Sequence, residues 1–279
     1  MKINSKYKKI LYIFIYSLLF FSIFLSAIYI FEECLAKKEI VEESNLLNII
    51  DINEINLETA ETNGNETNLN ENIRQNTENK PIETERIIQV KTLQETNPDI
   101  VGWLEIENTS INYPVLQGTD NEYYMTHNYK KEKSKNGSIF LNKDYDWNIP
   151  SNNLLIYGHN LNNGTMFQEL LKYSDESFYK KHPTIRFTTE NEDSEFEIIS
   201  VFKSRVYYSS EKNVFRYYYF INPESETEYN DYVKNAKNAS LYNINSSVTY
   251  GDQLITLSTC SYHVKDGRFA VVAKKINAQ

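Results

Sequence analysis

The stretch ITLSTCSYHVKDGRFAVVAKK, residues 255–275, decides how this chain is read. It parses as two apolar runs joined by a polar loop, the pattern of two adjacent strands. Leu254, Ile255 and Leu257 bury the first run, and Cys260 stands at its exit. Arg268 opens the second run, eight residues on. If a tight loop joins adjacent strands here, both side chains lie at one end of a sheet and share a site. A free thiol, with a pKa near ~8.5, is mostly protonated at neutral pH, so nucleophilic work needs a proton acceptor nearby. A guanidinium suits the oxyanion of a tetrahedral intermediate, because it stays charged and presents a fork of N–H donors. The competing reading of Cys260 is a small buried hydrophobe, and that of Arg268 a solvated strand-end cation.

Working outward, short β-like runs recur through the C-terminal two thirds, with turn signals between them. They are IVGWLEI (100–106), INYPVL (111–116), GSIFL (137–141), NNLLIYG (152–158), TIRFTT (184–189), EFEIISVFKSRVYY (195–208), DQLITLSTC (252–260) and RFAVVAKK (268–275). Eight such strands predict a mainly β fold, a closed barrel or a sandwich. Three segments read as helices. Ile87, Ile88, Val90 and Leu93 carry helical spacing that stops before Pro98. Residues 166–182 place Phe167, Leu170, Leu171 and Phe178 in a stripe. Residues 223–240 open with Pro and acids, then align Tyr229, Tyr232, Val233 and Ala236 on one face.

Upstream, Ile10 to Phe31 holds 22 residues without a charge. As a helix this run is ~33 Å long, enough for a ~30 Å hydrocarbon core. Lys2, Lys6, Lys8 and Lys9 precede it, and Glu32 and Glu33 follow. The positive-inside rule then predicts a single-pass anchor with residues 1–9 in the cytoplasm and everything after Phe31 outside. A cleaved signal peptide fits less well, since the run exceeds an ordinary h-region and no clean A-x-A site follows. Residues 32–80, rich in Asn, Glu and Thr, read as a flexible extracellular tether, with a short helix allowed at Leu46 to Ile55. Residues 81–279 form the folded module.

The formal net charge of −9 argues against a nucleic-acid partner. The two cysteines, Cys34 and Cys260, make no disulfide framework. The 22 tyrosines suit grooves and binding faces, though a composition bias toward Asn, Ile, Lys and Tyr explains them better. No Asp/Asn-rich loop or other metal-ligand spacing is present, and no cofactor is expected. Four histidines could serve the thiol: His127 in a polar turn, His182 at a helix end, His263 close in sequence, and His159 behind Gly158 at the end of a buried strand. On position alone, His159 and His263 both remain candidates.

TLSTC with a downstream Arg, and YGHN a hundred residues upstream, resembles the sortase family. NPDIVGWLEIENTSINYPVLQGTDNEYYMTHN (97–128) is similar to the N-terminal barrel region of class B sortases, and the 223–240 segment to the helix those enzymes carry between their sixth and seventh strands. The resemblance spans roughly residues 85–276. It implies a closed eight-stranded barrel with an N-terminal helix and a helical insertion before the cysteine strand. It implies a cysteine transpeptidase that cleaves a Pro-x-Thr-type sorting motif of exported proteins after Thr, forms a thioacyl intermediate, and joins the acyl group to a peptidoglycan precursor or another amine on a Gram-positive surface. By position it makes Cys260 the nucleophile, His159 the general acid and base, and Arg268 the oxyanion or substrate-orienting group. It also implies that the Cys and His rest mainly neutral, with a minor ion-pair form. Asn121, Met125, Tyr157, Ser258 and Thr259 take groove positions. Their plainer readings are a turn Asn, packing for Met125 and Tyr157, and a strand face for Ser258. Asp266 either orients Arg268 or is solvated. The alternatives are a surface cysteine peptidase that releases the acyl group to water, and a catalytically silent binding module.

Overall fold

The computed structural model describes residues 5–46, 82–148 and 153–276. The readings for residues 1–4 and for most of the tether, from 47 to 80, lie outside the described residues. The N-terminal unit is a helix, α1 (Ser5–Ser44). It carries on past Phe31 into the segment read as tether, where Leu35, Ala36, Lys37, Lys38 and Glu39 are all good helix formers. Tyr12 to Phe31 are exposed along its whole circumference, and the helix is long and apolar enough to cross a membrane.

The second unit holds eight strands: β1 (Ile100–Glu105), β2 (Asn112–Leu116), β3 (Ile139–Leu141), β4 (Asn153–Tyr157), β5 (Thr184–Thr188), β6 (Asp193–Arg205), β7 (Leu254–Cys260) and β8 (Gly267–Lys275). They close into a barrel in the order β1-β2-β3-β4-β7-β8-β6-β5, with β5 pairing back to β1. The eight β-like runs of the sequence thus become eight strands of one barrel. β4 and β7 are buried almost throughout, which the continuous runs LLI and LITL anticipate. They pair in parallel, Leu154 with Ile255 through Tyr157 with Ser258, so both leave the barrel at the same end. β7 and β8 pair antiparallel through a short loop. Parallel neighbours need a long crossover, and here it carries β5, β6 and two helices.

Helix α2 (Ile82–Thr96) ends where Pro98 blocks continuation, and Asn97 N–H closes onto the Leu93 carbonyl at 3.1 Å. Val90 and Leu93 pack with Ile100, Trp103, Leu116, Tyr124, Tyr129 and Phe140. Ile88 departs from expectation and is 42% exposed. The helix buries only a narrow stripe, and the fourth position goes to Gln89. The single helix expected over 166–182 is broken in two. A 3-10 turn covers Gln168–Ser174, then α3 (Glu176–Lys181) begins afresh because the Asp175 side chain caps it, accepting from Ser177 N–H at 2.8 Å. Helix α4 (Glu226–Ala239) lies between β6 and β7 and opens with Ser225, whose hydroxyl accepts from Glu228 N–H at 3.2 Å. Its predicted face is the buried one: Tyr229, Tyr232, Val233 and Ala236. Ser200 of β6 donates to the Ala236 carbonyl at 2.6 Å, and the Tyr232 hydroxyl meets Thr256 Oγ1 of β7 at 3.0 Å. Many tyrosines serve this core rather than a surface, among them Tyr113, Tyr124, Tyr173, Tyr217 and Tyr229.

Candidate active site

Cys260 and Arg268 are direct register partners across the β7–β8 ladder, at the end of the barrel where β4 also terminates. His159 follows β4 by two residues. The three side chains line one cleft of about 180 Å³, together with Asn121, Met125, Phe140, Tyr157, Gly158, Ser258 and Thr259. Every residue that the family resemblance made catalytic or groove-forming therefore borders the same space.

The segment Gly158–Asn160 is fastened to Ser258–Cys260 by three hydrogen bonds. Gly158 N–H donates to the Ser258 carbonyl at 3.2 Å, Thr259 Oγ1 donates to the Gly158 carbonyl at 2.7 Å, and Asn160 Nδ2 donates to the Cys260 carbonyl at 2.9 Å. Gly158 has a packing reason as well. A Cβ there would fall 2.4 Å from Ile139 Cδ1 and 2.7 Å from the Phe167 ring.

The groove residues are engaged in different ways. Asn121 Oδ1 accepts from Lys143 N–H at 2.8 Å, which ties the 118–125 loop to the end of β3. Met125 is exposed at the lip. The Tyr157 hydroxyl accepts from Asn142 Nδ2 at 3.1 Å, and its ring packs on Phe140. Burial pushes the Tyr157 phenol up, with Asn142 and the Arg268 charge pulling the other way. Ser258 is buried, and its hydroxyl pairs with that of Tyr217 at 2.7 Å. Burial also raises the Tyr217 phenol. Arg268 Nη1 donates to the Gly267 carbonyl at 3.0 Å. Asp266 meets this arginine through its carbonyl, at 3.4 Å, rather than through its carboxylate.

The other histidines are occupied away from the cleft. His263 Nδ1 lies 2.9 Å from Ser261 Oγ. His127 stacks on Tyr123. His182 Nδ1 contacts the Glu107 carbonyl at 2.9 Å. Four contributors escaped the sequence reading: Phe140, Tyr217, Asn160 and the main-chain carbonyl of Met125. Phe140 sits on a strand already recognised, so its alternation could have revealed it. The others are brought in by tertiary contacts with no local signal.

This architecture has known counterparts. The model of the Sortase domain matches residues 104–276. Sortase B of Listeria monocytogenes is 37% identical over 192 residues, covering 67% of this chain and 74% of that one. Sortase B of Staphylococcus aureus is 34% identical over 190 residues, covering 67% and 75%. A solved Staphylococcus aureus sortase B–substrate complex superposes with a TM-score of 0.60 at 32% identity, covering 69% of this chain and 86% of that one. With the closed barrel, the helix before the cysteine strand and matches of this extent, the chain belongs to the sortase family of cysteine transpeptidases, in its class B.

Proposed function

We propose that this transpeptidase is held at the cell membrane by α1 and acts on exported proteins bearing a Pro-x-Thr-type sorting motif. The observation that carries the reading is the pairing of Cys260 with Arg268 in register, beside His159 in one cleft. Cys260 Sγ, as thiolate, attacks the carbonyl carbon of the motif's Thr. The Arg268 guanidinium holds the resulting oxyanion. When the intermediate collapses, the C–N bond breaks and His159 gives its proton to the leaving amine. A cell-wall amine then enters, His159 takes its proton, and attack on the thioester returns Cys260 as thiolate with a new amide bond made. Asn121, Met125, Tyr157, Ser258 and Thr259 shape the groove for the motif. That Staphylococcus aureus sortase B was solved as a complex with a substrate supports a substrate-binding role for this fold.

Residues 10–31 cross the membrane with residues 1–9 in the cytoplasm, and the stretch that follows α1 gives the outward catalytic module, residues 81–279, its reach. The test is product analysis by mass spectrometry. The full-length chain in detergent receives a library of Pro-x-Thr peptides and an added amine, beside Cys260→Ala. Amine-linked products that require Cys260 are expected. Products formed with water alone, despite the amine, would make the enzyme a peptidase. No Cys260-dependent product would refute the motif class or the activity.

A further inference from the structure

His159 makes a ring contact not yet placed in the site's chemistry. Its Nε2 lies 2.7 Å from the main-chain carbonyl oxygen of Met125, 34 residues earlier. A carbonyl oxygen only accepts, so the ring nitrogen facing it carries the proton. In a neutral imidazole the lone pair then resides on Nδ1. In nucleophile–histidine triads on other folds, a side-chain carboxylate or amide holds the histidine in this manner. We infer that here the Met125 main-chain carbonyl is that third member, fixing His159 as the Nε2–H tautomer with Nδ1 as the proton-accepting atom, and that Gly137 is the positioning residue that keeps the carbonyl in place. The inference rests on the reading of His159 as the general acid and base. A backbone carbonyl has no residue type, so this third member leaves no mark in the side-chain sequence.

The case for Gly137 is steric. Its φ is +62°, and a Cβ built on it would fall 2.6 Å from the Met125 carbonyl oxygen, 2.9 Å from the Met125 carbonyl carbon and 2.8 Å from the Tyr124 carbonyl oxygen. The surroundings leave the Gly137 backbone little room to retreat. Ser138 N–H donates to the Tyr124 carbonyl at 2.8 Å, Ser138 Oγ to the His127 carbonyl at 2.9 Å, and Ser134 N–H to the Thr126 carbonyl at 2.9 Å. These bonds seal the Tyr123–His127 turn against the approach to β3. Any side chain at 137 therefore moves the Met125 carbonyl, and with it the hydrogen bond to His159.

The experiment reads the tautomer directly. Full-length protein labelled with ¹⁵N-histidine, in detergent at about pH 8, gives long-range ¹H–¹⁵N correlations for only four histidines. His159 is assigned by comparison with His159→Gln. The wild type is expected to show Nε2–H. Gly137→Ala and Gly137→Asn are expected to show mixed tautomers, with kcat down roughly tenfold or more and KM changed less than about twofold. Asn tolerates positive φ, so Gly137→Asn relieves backbone strain yet keeps the offending Cβ. A merely structural Gly137 predicts that Asn recovers the activity Ala loses, and that result would overturn the positioning role. An Nδ1–H wild type, with His159→Gln inactive, would overturn the inference alone. A fully active His159→Gln would remove the catalytic reading and the inference with it. The wild-type spectrum decides the tautomer even if a Gly137 variant misfolds.

Discussion

Replacing Asn160 with Ala tests whether the nucleophile is held by its neighbours across the sheet. Asn160 is buried, and its Nδ2 donates to the Cys260 carbonyl at 2.9 Å. Of the three bonds that fasten Gly158–Asn160 to Ser258–Cys260, it alone reaches the cysteine itself. Ala removes the donor and leaves a part-buried carbonyl short of a partner, a loss of about 1–3 kcal/mol. For a folded unit of this size, each kcal/mol lowers Tm by roughly 2–4 °C. The chemistry should suffer more than the stability. A reacting atom misplaced by about 1 Å can cost on the order of 100-fold in rate. We therefore expect Asn160→Ala to fold, to lose several degrees in a thermal melt followed by circular dichroism, and to drop kcat by about 10- to 100-fold with KM nearly unchanged. Asn160→Asp should be worse, because a carboxylate then faces the carbonyl. A variant that melts several degrees lower yet keeps full kcat would show that the bond serves only the fold, and the positioning argument would fail.

Three further outcomes follow from the same geometry. Arg268→Lys keeps the charge but loses the fork of donors, and acyl transfer should fall by about 10²–10³-fold in steady-state kinetics; activity near wild type would remove Arg268 from the oxyanion role. Gly158→Ala forces a methyl between Ile139 and Phe167, and thermal melts should show a cost of about 1–3 kcal/mol; an unchanged melting curve would contradict the packing account. Asp193 is buried, a condition that alone would raise its carboxyl pKa, but Arg186 and Thr188 outweigh burial and hold it below the ordinary range. A depressed carboxyl stabilises the fold above its unfolded pKa, and that contribution fades as pH falls through the folded value. Asp193→Asn should thus lower Tm at pH 7 and converge on wild type well below pH ~3.9, and a gap that stays constant across that range would refute the linkage.

The eight strands were legible because β4 and β7 carry unbroken apolar runs and the other strands are short and punctuated by turn residues, while their closure into a barrel rather than a sandwich was carried by the family resemblance alone. Helix α4 was legible because four buried positions recur on one face. The 166–182 segment misled because its apolar spacing says nothing about Asp175, whose side chain prefers to cap a new helix rather than continue the old one. Ile88 misled because hydrophobic spacing cannot tell how wide a stripe the partner surface covers. At the site, Cys260 and Arg268 stood out by residue type and spacing, while position left His159 level with His263 until the resemblance to sortases separated them. Tyr217, which meets Ser258 from 41 residues away, did not, because that contact exists only once α4 and its leading segment fold back over β7. The Met125 carbonyl could not have been found at all from side-chain identities.

The parallel pairing of β4 with β7 also sets the timing of the site's appearance. His159 and Cys260 sit at the ends of neighbouring strands, yet about a hundred residues of chain separate them. Closing so long a loop is slow, and its entropy is repaid only when the intervening strands have found their places. A ribosome makes His159 well before Cys260, so a growing chain holds this imidazole before the thiol it is to serve. Once made, the thiol meets its base only when β7 has paired with β4. Acyl transfer therefore waits on the β4–β7 pairing, and a chain without it has no assembled site.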